Sequence, residues 1–239
     1  MSNSWFQFKK FRIQHDRCAM KVGTDGVLLG AWAPLQDGTK VLDIGTGSGL
    51  IALMLAQRFP SSSILGIDID EAAVAQAREN VEASPFAERV EIRPCALQDL
   101  DTPDVAFDAV VCNPPFFEET LLPPDASRSA ARHTTSLPFN ELITSAARLL
   151  RADGRFCVIL PTPAFETFHL QCFAQGLLLE RRCMIQTSPT KAPKRTMACF
   201  CKSTQVSRRD ELLTLTENGR RSEAYTLLTR DFYLEGGLS

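Results

Sequence analysis

Residues 40–50 read KVLDIGTGSGL. The opening part, KVLDIG, is short and mostly apolar, as a buried strand is. The residues that follow, SGLIALMLAQRF (48–59), carry non-polar side chains on several faces, as a buried helix does. Between them stand Gly45, Gly47 and Gly49, each separated by one residue. Glycine permits a tight turn and a close approach of backbone to ligand. A strand, a glycine turn and a helix in this order form the first unit of an open parallel sheet with a ligand at the turn.

The same alternation continues on both sides. DGVLLGAWA (25–33) predicts a short apolar helix ended by Pro34. SILGIDI (63–69), RVEIRP (89–94), FDAVVC (107–112) and RFCVILP (155–161) predict strands. EAAVAQARENVEAS (71–84) is rich in Ala and Glu and predicts a helix. LPFNELITSAARLLRADG (137–154) predicts a helix closed by Gly154, and AFETFHLQCFAQG (164–176) another. LLERRCMIQT and RTMACFCK predict a terminal antiparallel pair, ELLTLTE (211–217) one more strand and SEAYTLLTRDFYL (222–234) a last helix. The fold expected is α/β: a seven-stranded, mostly parallel, Rossmann-like sheet with helices on both faces and a terminal antiparallel strand. Ligands in such sheets bind beyond the carboxyl ends of the strands. That edge gathers the glycine turn, the loop after LGIDI and the loop that begins CNPPFF (112–117).

The chain has 239 residues and a net charge of -2, which argues against non-specific coating of nucleic acid but permits a local basic face. Eight cysteines follow no zinc or thioredoxin spacing, so reduced, mostly buried thiols in a cytoplasmic protein are expected. No metal site is expected. No run approaches the ~18 apolar residues that span a bilayer, and the first residues lack the apolar segment of a signal peptide.

The glycine turn does not fit the dinucleotide fingerprint G-x-G-x-x-G, whose third glycine would fall on Leu50. The pattern Asp43-x-Gly45-x-Gly47-x-Gly49 resembles instead the first motif of class I S-adenosylmethionine-dependent methyltransferases. The resemblance implies that the three glycines line the methionine portion, with Asp43 near its ammonium group. It implies that Asp68 accepts hydrogen bonds from the ribose hydroxyls and that Ile69, next in sequence, borders the same site. The family usually has an acid just after the third strand, beside the adenine amine. Here Ala96 stands in that position, and Asp99 is the nearby substitute.

NPPF after the fourth strand resembles the N-P-P-[FYW] motif of amino-group methyltransferases, which act on adenine, cytosine, guanine or a glutamine amide. An exocyclic amine shares its lone pair with its ring and is a poor nucleophile. Two acceptors aimed at its hydrogens favour a more pyramidal, more nucleophilic nitrogen. Asn113 offers a side-chain carbonyl and Pro114 a backbone carbonyl, and Pro114 and Pro115 fix the backbone that holds them. Phe116 offers a ring on which a base can stack, worth about 1–3 kcal/mol.

FKKFRIQHDRCAMKVGTDGVLLGAW near the start, LDIGTGSGL, IALMLAQR, NPPFF, ARHTTSL (131–137) and SEAYTLLTRDFYL near the end resemble the bacterial tRNA(valine) adenine-37 N6-methyltransferase family over nearly the whole chain. The resemblance implies methyl transfer to the N6 amine of the adenine beside the anticodon, with S-adenosylmethionine as cofactor and tRNA as partner. Lys21, Thr24 and Asp25 are expected to help close the cofactor pocket. Lys9, Lys10, Arg12, Arg17, Arg132, Lys194 and Arg195 are expected to meet RNA phosphates. His15 and His133 are read as structural rather than catalytic. A monomer is expected, in one methyltransferase domain: residues 1–34 as the closing segment, 35–205 as the core and 206–239 as a C-terminal strand and helix. The competing readings are an amino-group methyltransferase acting on a protein glutamine or on DNA adenine, a nicotinamide oxidoreductase, and a non-catalytic RNA-binding protein that keeps the fold. The opening segment, the chain length, NPPF and the intact Asp68 and Asn113 weigh against them.

Overall fold

The structure is a computed structural model and describes residues 3–100, 106–115, 137–203 and 206–234. The chain opens with an antiparallel hairpin of β1 (Trp5–Gln7) and β2 (Arg12–Gln14), followed by α1 (Thr24–Trp32). Then come β3 (Lys40–Ile44), α2 (Leu50–Arg58), β4 (Ser63–Asp68), α3 (Glu71–Glu82), β5 (Val90–Pro94) and β6 (Phe107–Cys112). Further along the chain lie α4 (Phe139–Leu149), β7 (Leu150–Pro161), α5 (Thr162–Ala174), β8 (Leu178–Gln186), β9 (Arg195–Cys201), β10 (Arg209–Thr214) and α6 (Glu223–Thr229).

One large sheet organises these elements, in the order β10-β8-β9-β7-β6-β3-β4-β5. Only β9 runs against its neighbours, between β7 and β8. The expected architecture is therefore present, with β10 added as an eighth, parallel strand beside β8. Residues alternate between two cores, because successive side chains of a strand face opposite sides. Val41, Ile64, Val111 and Ile159 face α1, α2 and α3. Leu42, Leu65, Val110 and Val158 face α4 and α5. This double burial is why the strands read as continuous apolar runs.

Gly154 does not cap a helix. Helix α4 ends at Leu149, and Gly154 lies within β7, where Phe107 pairs with Leu150 but Ala109 pairs with Arg155. The intervening residues bulge, and a Cβ on Gly154 would stand 2.8 Å from Leu150 Cδ2 and 3.0 Å from the Arg151 carbonyl. The glycine is there for lack of space.

The N-terminal hairpin, absent from the sequence expectation, packs through Phe11 against Phe86 and through Phe6 and Phe8 against Tyr233. The Lys9 amide donates to the Phe232 carbonyl. The first and last segments of the chain thus hold each other beside α2, whose Gln57 amide donates to the Asp231 carbonyl.

Candidate active site

The parallel register places three chain reversals side by side. Ile44, at the end of β3, is level with Ile67 of β4 and Cys112 of β6. The glycine turn, the loop after Asp68 and Asn113-Pro114 therefore leave the sheet from adjacent strands at its carboxyl edge.

Gly45, Gly47 and Gly49 all have left-handed backbones, with φ of 67°, 54° and 80°. That region is strained for any residue with a Cβ. A Cβ on Gly45 or Gly47 would meet nothing within 4 Å, whereas one on Gly49 would touch Ala77 Cβ at 3.4 Å. The first two glycines thus border open space, and the third lets α3 approach. Asp68 ties the turn to β4: its Oδ2 accepts from the Gly47 amide at 2.8 Å and its Oδ1 from the Asp70 amide at 3.0 Å. Asp70 in turn caps α3, accepting from the Ala72 and Ala73 amides.

Asp43 lies directly beneath the turn and is fully buried. Its Oδ2 accepts from the Thr46 hydroxyl at 2.7 Å, while Oδ1 is buried without a hydrogen-bond partner. Burial pushes its carboxyl up to about 7 against an ordinary 3.8, outweighing the Thr46 hydroxyl and the Ala52 amide, which pull it down. A buried carboxylate oxygen left unpaired is costly unless a donor or cation completes it. With the open glycine cradle, it fits a ligand that brings a cationic donor to the turn.

Asn113 is half-buried, Pro114 is buried and Pro115 is exposed, one to three residues beyond the end of β6. Ile69 is 55% exposed at the start of the loop after β4. Asp99 is exposed in a short turn after β5, its amide donating to the Ala96 carbonyl. Lys21 and Thr24 are exposed where the N-terminal segment enters α1. Asp25 accepts from Arg195 Nε at 2.8 Å, so these two residues, expected in different roles, pair with each other. Arg195 and Lys194 reach this edge because β9 runs backwards and starts level with Pro161, the end of β7. Phe116, Arg132 and His133 lie outside the described residues.

The remaining expected RNA contacts lie elsewhere. Arg17 pairs with Glu79 on α3. Arg12 stacks over the Trp5 ring at 4.4 Å and donates to Gln7, and with Lys9 and Lys10 it belongs to the hairpin. That hairpin packs near Phe86, which leads into the start of β5, and so sits toward the amino ends of the strands. His15 is buried and structural, its Nδ1 accepting from the Val22 amide and its Nε2 donating to the Asn3 carbonyl. Two buried residues that sequence reasoning missed, Gln76 and Asn80, hold the N-terminal segment to α3, and Asn80 also joins it to the glycine turn through the Ser48 carbonyl. No local signal marks them, because a polar residue on a helix reads as part of a solvated face until another segment covers it.

Residues 22–165, more than half of the chain, match the family model described as the methyltransferase small domain. This chain belongs to that family. The methyltransferase is 47% identical over 236 residues to a protein of Phocaeicola vulgatus named tRNA1(Val) (adenine(37)-N6)-methyltransferase, covering 98% of this chain and 99% of that one. Proteins of the same name from Bacteroides fragilis (43%, covering 98% and 100%) and Citrobacter koseri (41%, covering 96% and 94%) are also similar. Among solved structures, the methyltransferase fold is shared with a predicted O-methyltransferase from Agrobacterium tumefaciens, at a TM-score of 0.69 and 18% identity over 87% of this chain and 96% of that one. A TehB-like SAM-dependent methyltransferase from Corynebacterium glutamicum gives 0.51 and 22%, over 76% and 89%. No described helix is long and apolar enough to cross a membrane. Among the described residues no cluster of His, Cys, Asp or Glu could hold a metal ion.

Proposed function

We propose that this methyltransferase transfers a methyl group from S-adenosylmethionine to the N6 amine of adenine-37 in a valine tRNA. The observation that carries the reading is the convergence, at one sheet edge, of an open glycine cradle over a buried, half-paired Asp43 with Asn113-Pro114 on the adjacent strand. The near full-length similarity to proteins named for this reaction supports the choice of base and tRNA. The whole chain acts as one methyltransferase domain.

S-adenosylmethionine, when bound, supplies a methyl group on a positively charged sulfur. Gly45, Gly47 and Gly49 hold its methionine end, and Asp43 Oδ1 meets the ammonium group. Asp68, freed from the Gly47 amide or sharing it, accepts from the ribose hydroxyls. Ile69 covers the adenine, with Asp99 at its amine. Lys21, Thr24 and Asp25 close the pocket. On the other side, the Asn113 side-chain carbonyl and the Pro114 carbonyl accept the two amine hydrogens of the target base, and Phe116 stacks on its ring. These contacts would hold the amine nitrogen facing the methyl group, and the proton shed by the methylated nitrogen would pass to solvent. No strong base is needed, because the methylated nitrogen is acidic. Positioning supplies most of the barrier reduction, for which up to about 7–11 kcal/mol is available in favourable cases. The target base lies in a single-stranded loop and is splayed out at low cost.

Lys194 and Arg195 meet phosphates near the target base. Lys9, Lys10, Arg12 and Arg17 meet the RNA farther along, and Arg132 is a further phosphate contact. The deciding experiment is mass spectrometry of nucleosides from tRNA incubated with protein and S-adenosylmethionine. N6-methyladenosine at position 37 of valine tRNA is expected. Label found only in protein, or only in DNA, would refute the reading.

A further inference from the structure

Helix α3 carries Gln76 and Asn80 on one face, four residues apart, and both are buried. A buried amide is stable only where its donors and acceptors are met. Both find their partners in the N-terminal segment. Gln76 Nε2 donates to Asp16 Oδ1 at 2.6 Å, and its Oε1 accepts from the Arg17 amide at 3.0 Å and the Cys18 thiol at 3.1 Å. Asn80 Oδ1 accepts from the Gln14 amide at 2.8 Å. Its Nδ2 donates at 2.9 Å both to the Gln14 carbonyl and to the carbonyl of Ser48, between the second and third glycines of the turn.

Residues 16–20 form bends, with neither helix nor strand to fix their path. These two amides supply that path through hydrogen bonds to three successive residues, 16–18, and to Gln14. The segment so held is joined to the glycine turn of the proposed site, because the Asn80 side chain bonds both Gln14 and the Ser48 carbonyl. Apolar side chains at 76 and 80 would fill the same space but would fix no backbone path. The arrangement therefore serves geometry rather than burial.

We propose that Gln76 and Asn80 are positioning residues, which clamp residues 14–18 as a wall of the cofactor pocket, with Asn80 tying that wall to the glycine turn through Ser48. The inference rests on the reading of that pocket as the S-adenosylmethionine site. The clamp acts on cofactor binding, and the transfer step depends on Asn113 and its neighbours on another strand. Loss of the clamp is therefore read in affinity and not in turnover.

The probe is S-adenosylhomocysteine binding by calorimetry, with steady-state kinetics on tRNA and hydrogen exchange of residues 14–18. Gln76→Leu and Asn80→Leu are expected to weaken binding about ten-fold, the effect of leaving one buried hydrogen bond unmade. kcat at saturating cofactor stays within about two-fold, and the amides of 14–18 lose protection. Asp16→Ala, a change at an exposed residue that leaves α3 untouched, shifts affinity in the same direction even where the helix variants fail to fold. Asp16→Asn restores binding, since an amide oxygen also accepts from Gln76 Nε2. Wild-type affinity in a folded Asp16→Ala or Asn80→Leu protein would overturn the clamp alone. A wild-type protein that does not bind S-adenosylhomocysteine would overturn the pocket reading itself.

Discussion

At Asp43 one proton reports on the whole pocket. Burial raises its carboxyl to about 7, far above the 3.8 that an unfolded chain shows. Between about pH 4 and pH 7 the unfolded chain has lost the proton and the folded protein keeps it, so rising pH withdraws stability across that window and the loss is complete above it. Asp43→Asn removes this linkage, and its denaturation midpoint is expected to vary less between about pH 5 and pH 8 than that of the wild type. A cofactor ammonium beside Oδ1 favours the carboxylate and lowers its pKa again. Binding of S-adenosylhomocysteine at about pH 6.5 should therefore release a proton, read as a buffer-dependent enthalpy, and Asp43→Asn should abolish the release. Equal release by the variant would remove Asp43 from the ammonium site. Asn113 tests the other half of the pocket. Asn113→Ala deletes one of the two proposed acceptors for the amine, and turnover is expected to fall about 10²–10³-fold, as for loss of one electrostatic stabiliser. Cofactor affinity is expected to stay within about two-fold, because the contacts proposed for the donor belong to other strands. Turnover near the wild-type value would show that the amide plays no part.

Within strand β4, Gly66 shows how closely the elements approach around the site. A Cβ there would stand 2.8 Å from Ile92 Cδ1 on β5 and 2.8 Å from Thr46 Oγ1, the hydroxyl that bonds to Asp43. Gly66→Ala is expected to cost about 1–3 kcal/mol of stability by overpacking. Adding Ile92→Val relieves one of the two clashes and should recover part of the loss; a Gly66→Ala protein as stable as the wild type would contradict the packing. Close approach of this kind was not legible in SILGIDI, where the glycine reads only as a weak point in a strand. The strands themselves were legible, because double burial writes them as apolar runs. The hairpin β1–β2 was not, since each strand has three residues and its register depends on Asn80 and on rings supplied by distant segments. Gln76 and Asn80 were hidden for the same reason: polar residues on a helix read as a solvated face until another segment covers them. The carboxyl-edge loops were legible because glycine and proline encode their backbone locally. The partner of Arg195 was not, for Asp25 lies 170 residues away in sequence.

Over the whole molecule, the basic residues expected to meet RNA divide between the two ends of the strands. Lys194 stands at the carboxyl edge with the proposed catalytic loop, while Lys9 and Lys10 follow the hairpin toward the amino ends. A six-residue strand such as β4 separates those ends by about 20 Å, so one short RNA loop cannot reach both. A full tRNA can, if its anticodon arm crosses the carboxyl edge and its stem runs down the side of α3 past Arg17 and the hairpin. Charge reversal should separate these two regions. Lys194→Glu is expected to weaken both a short anticodon stem-loop and full-length tRNA. It should also reduce the magnitude of the salt slope of binding by about 1, because one phosphate is no longer neutralised. The Lys9→Glu, Lys10→Glu double variant is expected to spare the stem-loop and weaken only the full-length tRNA, again with a shallower slope. Neither variant should alter S-adenosylhomocysteine binding, which controls for folding. Equal weakening on the short and long RNAs for the hairpin variant would mean that the hairpin meets the anticodon loop itself, and that the RNA does not run along α3.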